Sequence, residues 1–234
     1  MKSSLIAIYK SLYESFGPQH WWPAKTRFEI IVGAILTQQT TWENVEKAIK
    51  NLKENKLLTI KSLANIPLKK IEKLVQPAGY YHQKSKRLKE ISTYFLRKYQ
   101  GNLNKLFKKN TKRLREELLT LPGIGKETAD SILLYAGEKR IFVVDAYTKR
   151  VFSRLGLLPA GDYDRIRMFF ENNLPKNIKI YQEFHALLVK LGKEFCKRKP
   201  LCKLCPLYKY EDYFCKRALL PTSGHGVRRT SEEE

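Results

Sequence analysis

Several features are scarce or missing in this 234-residue chain, and each absence narrows the reading. No apolar run approaches the roughly 20 residues that cross a bilayer, so no membrane partner is expected. The opening MKSSLIAIYKSLYESF has neither an apolar signal core nor a small-residue cleavage site. A cytoplasmic, soluble protein is the expectation. Longer apolar–polar alternation is absent, so no sheet is predicted. Only Ile141 to Val144 looks strand-like, and four residues suit a buried extended linker equally well. No internal repeat is present. Acidic residues are few, with 23 Asp+Glu against 45 Lys+Arg and a formal charge of +22. Cysteine is rarer still. The four residues Cys196, Cys202, Cys205 and Cys215 all fall in one short segment. In a reducing compartment such clustering favours a metal site over disulfides.

What is present is helical. The apolar share of 43% supports one or two domains with real cores. Ile6, Tyr9, Leu12, Tyr13 and Phe16 recur at spacings of three and four, as do Phe28, Ile31, Val32, Ile35 and Leu36. Val45, Ile49 and Leu52 continue on a helix that Thr41 can cap. Thr59 to Ala64, Leu68 to Val75, Lys84 to Tyr99 and Lys112 to Leu119 read as further helices. Another runs from Lys126 to Tyr135 and ends near Gly137. The polar stretch from Thr222 onward, within a 218–234 tail, reads as disordered.

Basic residues recur along most of the chain rather than in one tail. A polyanion partner accounts for this, because lysine and arginine displace the counterions of a phosphate backbone. A lysine-rich solvated surface accounts for it too.

The stretch from Leu121 to Arg154 carries the chemistry. It begins with the turn Leu121-Pro-Gly-Ile-Gly125 and opens directly into a helix. Backbone N–H groups at such a turn grip phosphate. Gly123 and Gly125 allow positive φ and close approach, and Ile124 can anchor the turn in the core. An ordinary helical connector uses the same residues. The apolar run that follows ends in a single acid, Asp145. That acid either caps the helix beginning at Ala146 or performs chemistry, and one residue can do both.

LPGIGKETA followed by VVDAYTKRV resembles the helix–hairpin–helix (HhH-GPD) DNA glycosylases, the endonuclease III-like superfamily, from about residue 5 to residue 215. The resemblance implies an all-α, two-domain fold with a C-terminal four-cysteine cluster loop. Residues 27–137 would form a helical barrel domain with the hairpin. Residues 1–26 and 138–217 would form the second domain. It implies base-excision repair on double-stranded DNA by a monomer in the cytoplasm, associated with the nucleoid. Asp145 becomes the catalytic acid, stabilising positive charge on the sugar as the N-glycosidic bond breaks. Gly123, Gly125, Lys126 and Thr128 become DNA contacts, with a monovalent cation at the turn carbonyls. Gln38 fills the gap left by an extruded base, Tyr80 intercalates and Lys84 lies near phosphate. Extrusion is needed because the scissile bond is buried in the base stack.

The chain departs from the family at two points. Strand-cutting members carry a Schiff-base Lys two residues after the second hairpin glycine, and this chain has Glu127 there. Lys126 sits one residue early, turned about 100° around the helix. A monofunctional hydrolase is therefore expected. The cysteines read C-x5-C-x2-C-x9-C, where the family's [4Fe–4S] loop reads C-x6-C-x2-C-x5-C. Four thiolates suit that cluster or zinc, and Lys197, Arg198, Lys199 and Lys203 surround them.

Trp21, Trp22 and Trp42 bear on specificity. WWP, the aromatic after TQQT, and the GIGKETAD hairpin are similar to the endonuclease III-like 3-methyladenine glycosylases. Aromatic faces stack on cationic bases; core packing is the ordinary use of tryptophan. Alkylated purine is the favoured substrate, ahead of mismatched thymine or uracil and of oxidised bases. A bifunctional glycosylase/lyase and a non-catalytic DNA-binding module are the rival readings. His185, on an apolar face, reads as a buried structural histidine rather than a ligand.

Overall fold

The computed structural model describes residues 2–208, so Cys215 and the 218–234 tail lie outside the described residues. Among those residues the chain is helical and contains no strand. In chain order the helices are α1 (Lys2–Phe16), α2 (Arg27–Leu36), α3 (Trp42–Glu54), α4 (Ile60–Asn65), α5 (Leu68–Val75), α6 (Tyr81–Tyr99), α7 (Leu103–Phe107), α8 (Thr111–Leu119), α9 (Lys126–Ser131), α10 (Ala146–Arg154), α11 (Tyr163–Asn173) and α12 (Ile178–Glu194). No described helix is long and apolar enough to cross a membrane.

Local chemistry sets the helix ends. The Thr26 hydroxyl accepts from the Glu29 amide at 3.1 Å and starts α2. Thr41 stands at the start of α3 but makes no side-chain cap. In α1 the buried stripe is Leu5, Ile8 and Leu12, while Tyr13 is exposed. That is one position round from the stripe the sequence suggested. The apolar residues of this helix outnumber one face, so periodicity alone could not choose the phase. Besides α12, which the sequence marked only by the apolar face around His185, two helices escaped the periodicity. α7 has five residues and rests on its Asn102 cap. α11 buries only Ile166 and Phe170 among charged neighbours.

α2 is buried along most of its length and packs on α3, α6, α9 and the turn after α9. α4 and α5 pack against α6, while α10 and α1 pack against α12. The hairpin helix does not continue evenly to Tyr135. After Ser131 it widens into a π turn, Ile132–Ala136, closed by the Gly137 amide on the Ile132 carbonyl at 3.0 Å.

Ile141 to Val144 is the extended linker, with all four residues buried. Its own amides need partners away from any sheet. The Phe142 amide donates to Glu171 at 2.9 Å and the Val144 amide to the Tyr163 hydroxyl at 3.3 Å. The Phe142 ring stacks on Phe170 with centroids 4.3 Å apart and touches Phe184 edge-on. Linker position is thus set by α11 and α12. Phe142→Ala should cost roughly 3–5 kcal/mol of stability through the cavity it leaves. Urea unfolding of the two proteins measures this, and a loss below about 1 kcal/mol would contradict the account.

Candidate active site

The linker delivers Asp145 to the start of α10. Asp145 caps that helix, its Oδ1 accepting from the Thr148 amide at 2.7 Å. Its Oδ2 lies 3.6 Å from Nε2 of His185, and the side chain is only 12% exposed. Burial pushes the carboxyl pKa up. His185 and the Thr148 amide more than offset this, so it sits below the ordinary aspartate value. Asp145 is therefore ionised at neutral pH.

A cavity of ≈ 380 Å³ opens onto this carboxylate. Trp21, Trp22 and Trp42 form one wall. Trp21 meets Trp42 edge-on with centroids 4.5 Å apart, and Trp22 meets Tyr135 at 5.4 Å. Trp42 donates to Glu46 at 2.7 Å, one helical turn on. Gly33 lets Trp22 lie against α2, since a Cβ there would stand 3.0 Å from the indole. The three tryptophans are half-buried, packing on the core and also lining the cavity.

Glu127 stands at the cavity mouth, reached by solvent yet crowded by protein. Crowding, and then the charge of Asp145, raise its pKa above the ordinary glutamate value. Lys126 points elsewhere. It is paired with Asp164, lies 3.2 Å from Asp162 and does not border the cavity. Lys193 of α12 is the lysine that lines the cavity.

The hairpin turn is held from below. Ile124 is buried and its amide donates to the Leu121 carbonyl at 3.1 Å. Gly123 has φ +74°, and a Cβ there would strike the Arg87 side chain. Gly125 departs from expectation: its φ of −86° is open to any residue. Nothing lies near its Cβ position, so glycine there leaves space rather than relieving strain. Gln38 donates to the Gly123 carbonyl at 3.1 Å and to the Thr128 hydroxyl at 2.9 Å. It also accepts from Arg87. Gln38 thus ties α2 to the hairpin, while Thr128 is buried beneath it rather than displayed.

Tyr80 projects outward, 61% exposed, from a left-handed backbone at φ +46°. Lys84 requires correction. It is 1% exposed and its Nζ donates to the Ala78 carbonyl at 2.7 Å. Burial, and then the charge of Arg87, push its pKa down to about 8. Its ammonium braces the Tyr80 loop from within and does not face outward to phosphate.

Cys196, Cys202 and Cys205 are half-buried and border one small cavity with Val151, Leu155 and Leu207. Arg154 donates to the Cys196 sulfur at 3.2 Å. Burial, and then the neighbouring Cys196 and Cys202, push the Cys205 thiol up. Among the described residues no three His, Cys, Asp or Glu side chains stand at metal-ligating spacing. Soft thiols facing a shared pocket nonetheless match the donor chemistry of an iron–sulfur or zinc site.

Sequence reasoning missed the partners of Asp145. His185 and Tyr135 are fifty residues apart, and their ring nitrogen and hydroxyl meet at 2.7 Å. A lone histidine on an apolar helix face was the available signal.

Solved structures place the architecture among helical DNA glycosylases. An endonuclease III in a non-covalent DNA complex superposes with TM-score 0.77 at 24% identity, over 93% of this chain and 96% of that one. At that identity the likeness speaks for the fold. The 3-methyladenine DNA glycosylase of H. pylori, MagIII, bound to 1,N6-ethenoadenine, gives TM-score 0.72 at 33% identity, over 81% and 97% of the two chains. Residues 32–176 match the HhH-GPD superfamily of base excision DNA repair proteins, and the chain belongs to that family, within its endonuclease III-like members. A Methanocaldococcus jannaschii protein named provisionally as a DNA repair glycosylase is 52% identical over 209 residues, 88% of this chain and 94% of its own. Endonuclease III of Thermotoga maritima is 30% identical over 191 residues, 81% and 84% of the two lengths.

The buried lysine yields a pH prediction. Folding lowers the Lys84 pKa from 10.5 to about 8, so the unfolded chain binds more protons between those values. Wild-type stability relative to Lys84→Met should therefore rise from about pH 8 to pH 10, by at most about 1.4 kcal/mol per unit. A flat difference in chemical denaturation across that range would show that Lys84 keeps its solvent value.

Proposed function

We propose that this protein is a monofunctional DNA glycosylase that hydrolyses the N-glycosidic bond of a damaged base flipped out of double-stranded DNA. The alkylated purines are its favoured substrates. The carrying observation is the cavity walled by three tryptophans that ends on an ionised, buried Asp145. Asp145, Glu127 and Glu43 all line it, against a single lysine, Lys193. Such a pocket favours a base that carries positive charge, stacked between aromatic faces. As the bond lengthens, positive charge grows on the sugar, and Asp145 stabilises it and orients the attacking water.

The hairpin would grip phosphate through Gly123, Gly125 and the Lys126 region, with a monovalent cation at its carbonyls. Tyr80 would enter the stack and Gln38 would take the vacated space. Residues 27–137 would act as one lobe and 1–26 with 138–217 as the other, with DNA across the cleft. The protein would work as a cytoplasmic, nucleoid-associated monomer. Cys196, Cys202 and Cys205, completed by Cys215, would hold a [4Fe–4S] cluster that orders the basic loop around Lys197 and Lys203. A visible absorption shoulder with matching iron content is the expected result, and zinc without iron would overturn this assignment.

Glu127 cannot form a Schiff base, and the ion pairs of Lys126 turn it away from the cavity, which supports hydrolysis without strand cutting. The second reading is a glycosylase/lyase that uses Lys193, because that amine lines the cavity. Borohydride should trap no robust covalent adduct with damaged DNA. An adduct that disappears in Lys193→Met would establish the second reading.

Release of free base from a panel of methylated purines, mismatched thymine or uracil and oxidised bases tests the substrate. Asp145→Asn should abolish release, by a factor of roughly 10² or more, while leaving DNA binding within about threefold. Asparagine still caps α10, so its stability should change by less than about 1 kcal/mol. A wild type that releases nothing from the panel would leave a DNA-binding module.

A further inference from the structure

His185 is 6% exposed on α12, with one ring nitrogen on Tyr135 and the other aimed at the catalytic cavity. The Tyr135 hydroxyl lies 2.7 Å from Nδ1 and 3.1 Å from the Gln182 carbonyl. Its one proton serves one of these at a time. If it goes to Nδ1, a neutral ring carries its hydrogen on Nε2. If it goes to the carbonyl, Nδ1 must itself carry hydrogen to donate to the tyrosine oxygen. Nε2 is buried and has no hydrogen-bond partner, and Asp145 Oδ2 stands 3.6 Å away. A lone pair there would set two acceptors against each other in a place nearly without water. A proton on Nε2 removes the conflict in either hydroxyl orientation.

We propose that His185, oriented by Tyr135, is a positioning residue for base release. It presents a proton-bearing edge to Asp145, keeps that carboxylate ionised, and fixes the plane in which it faces the sugar. The proposal rests on the reading of Asp145 as the catalytic acid. The depressed pKa of Asp145 agrees with it, since burial alone would raise that value and His185 is the foremost opposing influence.

Other charges also face the pair. Glu127 from α9 and Glu43 from α3 add negative charge at the cavity. Lys149 of α10 acts on Glu127, and Lys193 of α12 lines the wall. Glu183 lies near enough to act on Tyr135, and Tyr147 of α10 feels both Asp145 and Glu43. Of these, Glu127 is the group whose titration could imitate that of Asp145, so it needs its own control.

The sign follows from linkage. Loss of His185 removes a group that lowers the Asp145 pKa, so Asp145 protonates at higher pH and the acid limb of the reaction moves up. Single-turnover base release with saturating DNA, from about pH 3 to pH 8, reads that limb. His185→Met should lower release roughly tenfold on the acid limb and by less than about threefold on the plateau. His185→Gln, whose amide can still donate, should recover part of the loss. Tyr135→Phe should move the limb in the same direction by less, which keeps the test open should His185→Met fail to fold. Glu127→Gln removes a negative charge beside Asp145 and should move the limb slightly down, opposite to His185→Met.

A second readout does not depend on turnover. The carboxyl carbon signal of Asp145, assigned by its loss in Asp145→Asn, should titrate at higher pH in His185→Met. An equal loss at every pH, with an unmoved carboxyl titration, would make His185 merely structural and overturn the proposal. A limb that moves up with Glu127→Gln instead would overturn it as well. If Asp145→Asn itself still releases base, the reading of the acid fails, and that outcome is distinct from either result at His185.

Discussion

Asp145 carries its charge in a place with little water, and much of the structure around it answers that constraint. An isolated carboxylate buried this way would take up a proton. Here one oxygen accepts from the first turn of α10 and the other faces a histidine ring. Both supports need the chain to enter α10 at a fixed angle. That angle is set by four buried residues, two of whose amides, those of Phe142 and Val144, reach Glu171 and Tyr163. The linker, the aromatic stack beneath it and the cap are one device for holding an ionised acid against the tryptophan-walled cavity.

The cationic surplus takes on a different character once the side chains are placed. Part of it is spent inside the protein. Lys84 donates to the Ala78 carbonyl, and Lys89 donates to the carbonyls of Ala64 and Ile66. Glu117 collects Lys98 and Lys109 along with the Tyr94 and Tyr99 hydroxyls, and its pKa falls to about 2 although burial opposes this. Lysine therefore closes open carbonyl ends and buried acids here, in addition to giving the surface its charge. Net charge suits a polyanion partner without telling which lysines would touch it.

Much of the helical frame could be read from spacing, because α2, α5 and α8 have clear apolar periods and identifiable ends. The phase of α1 could not, since apolar residues surround more than one face of it. α11 was hidden because its two buried residues sit among charges. At the site, the hairpin and Asp145 stood out as local motifs. Gly125 was overread: its sequence context matches Gly123, but only Gly123 adopts the left-handed conformation. Lys84 was misplaced because burial of a lysine is invisible in a one-dimensional pattern. The contact between Tyr135 and His185 joins segments fifty residues apart and is a product of tertiary packing alone.

The π turn after α9 has a consequence for redesign. It carries Tyr135 to a point where the ring meets Trp22 in an edge contact and the hydroxyl reaches His185. Tyr135 therefore joins the tryptophan cluster to the histidine beside Asp145. On the reading proposed above, a change at Tyr135 would reach the aromatic wall and the surroundings of the acid together. On that reading, a library aimed at new bases would vary Trp22, Tyr135 and His185 together.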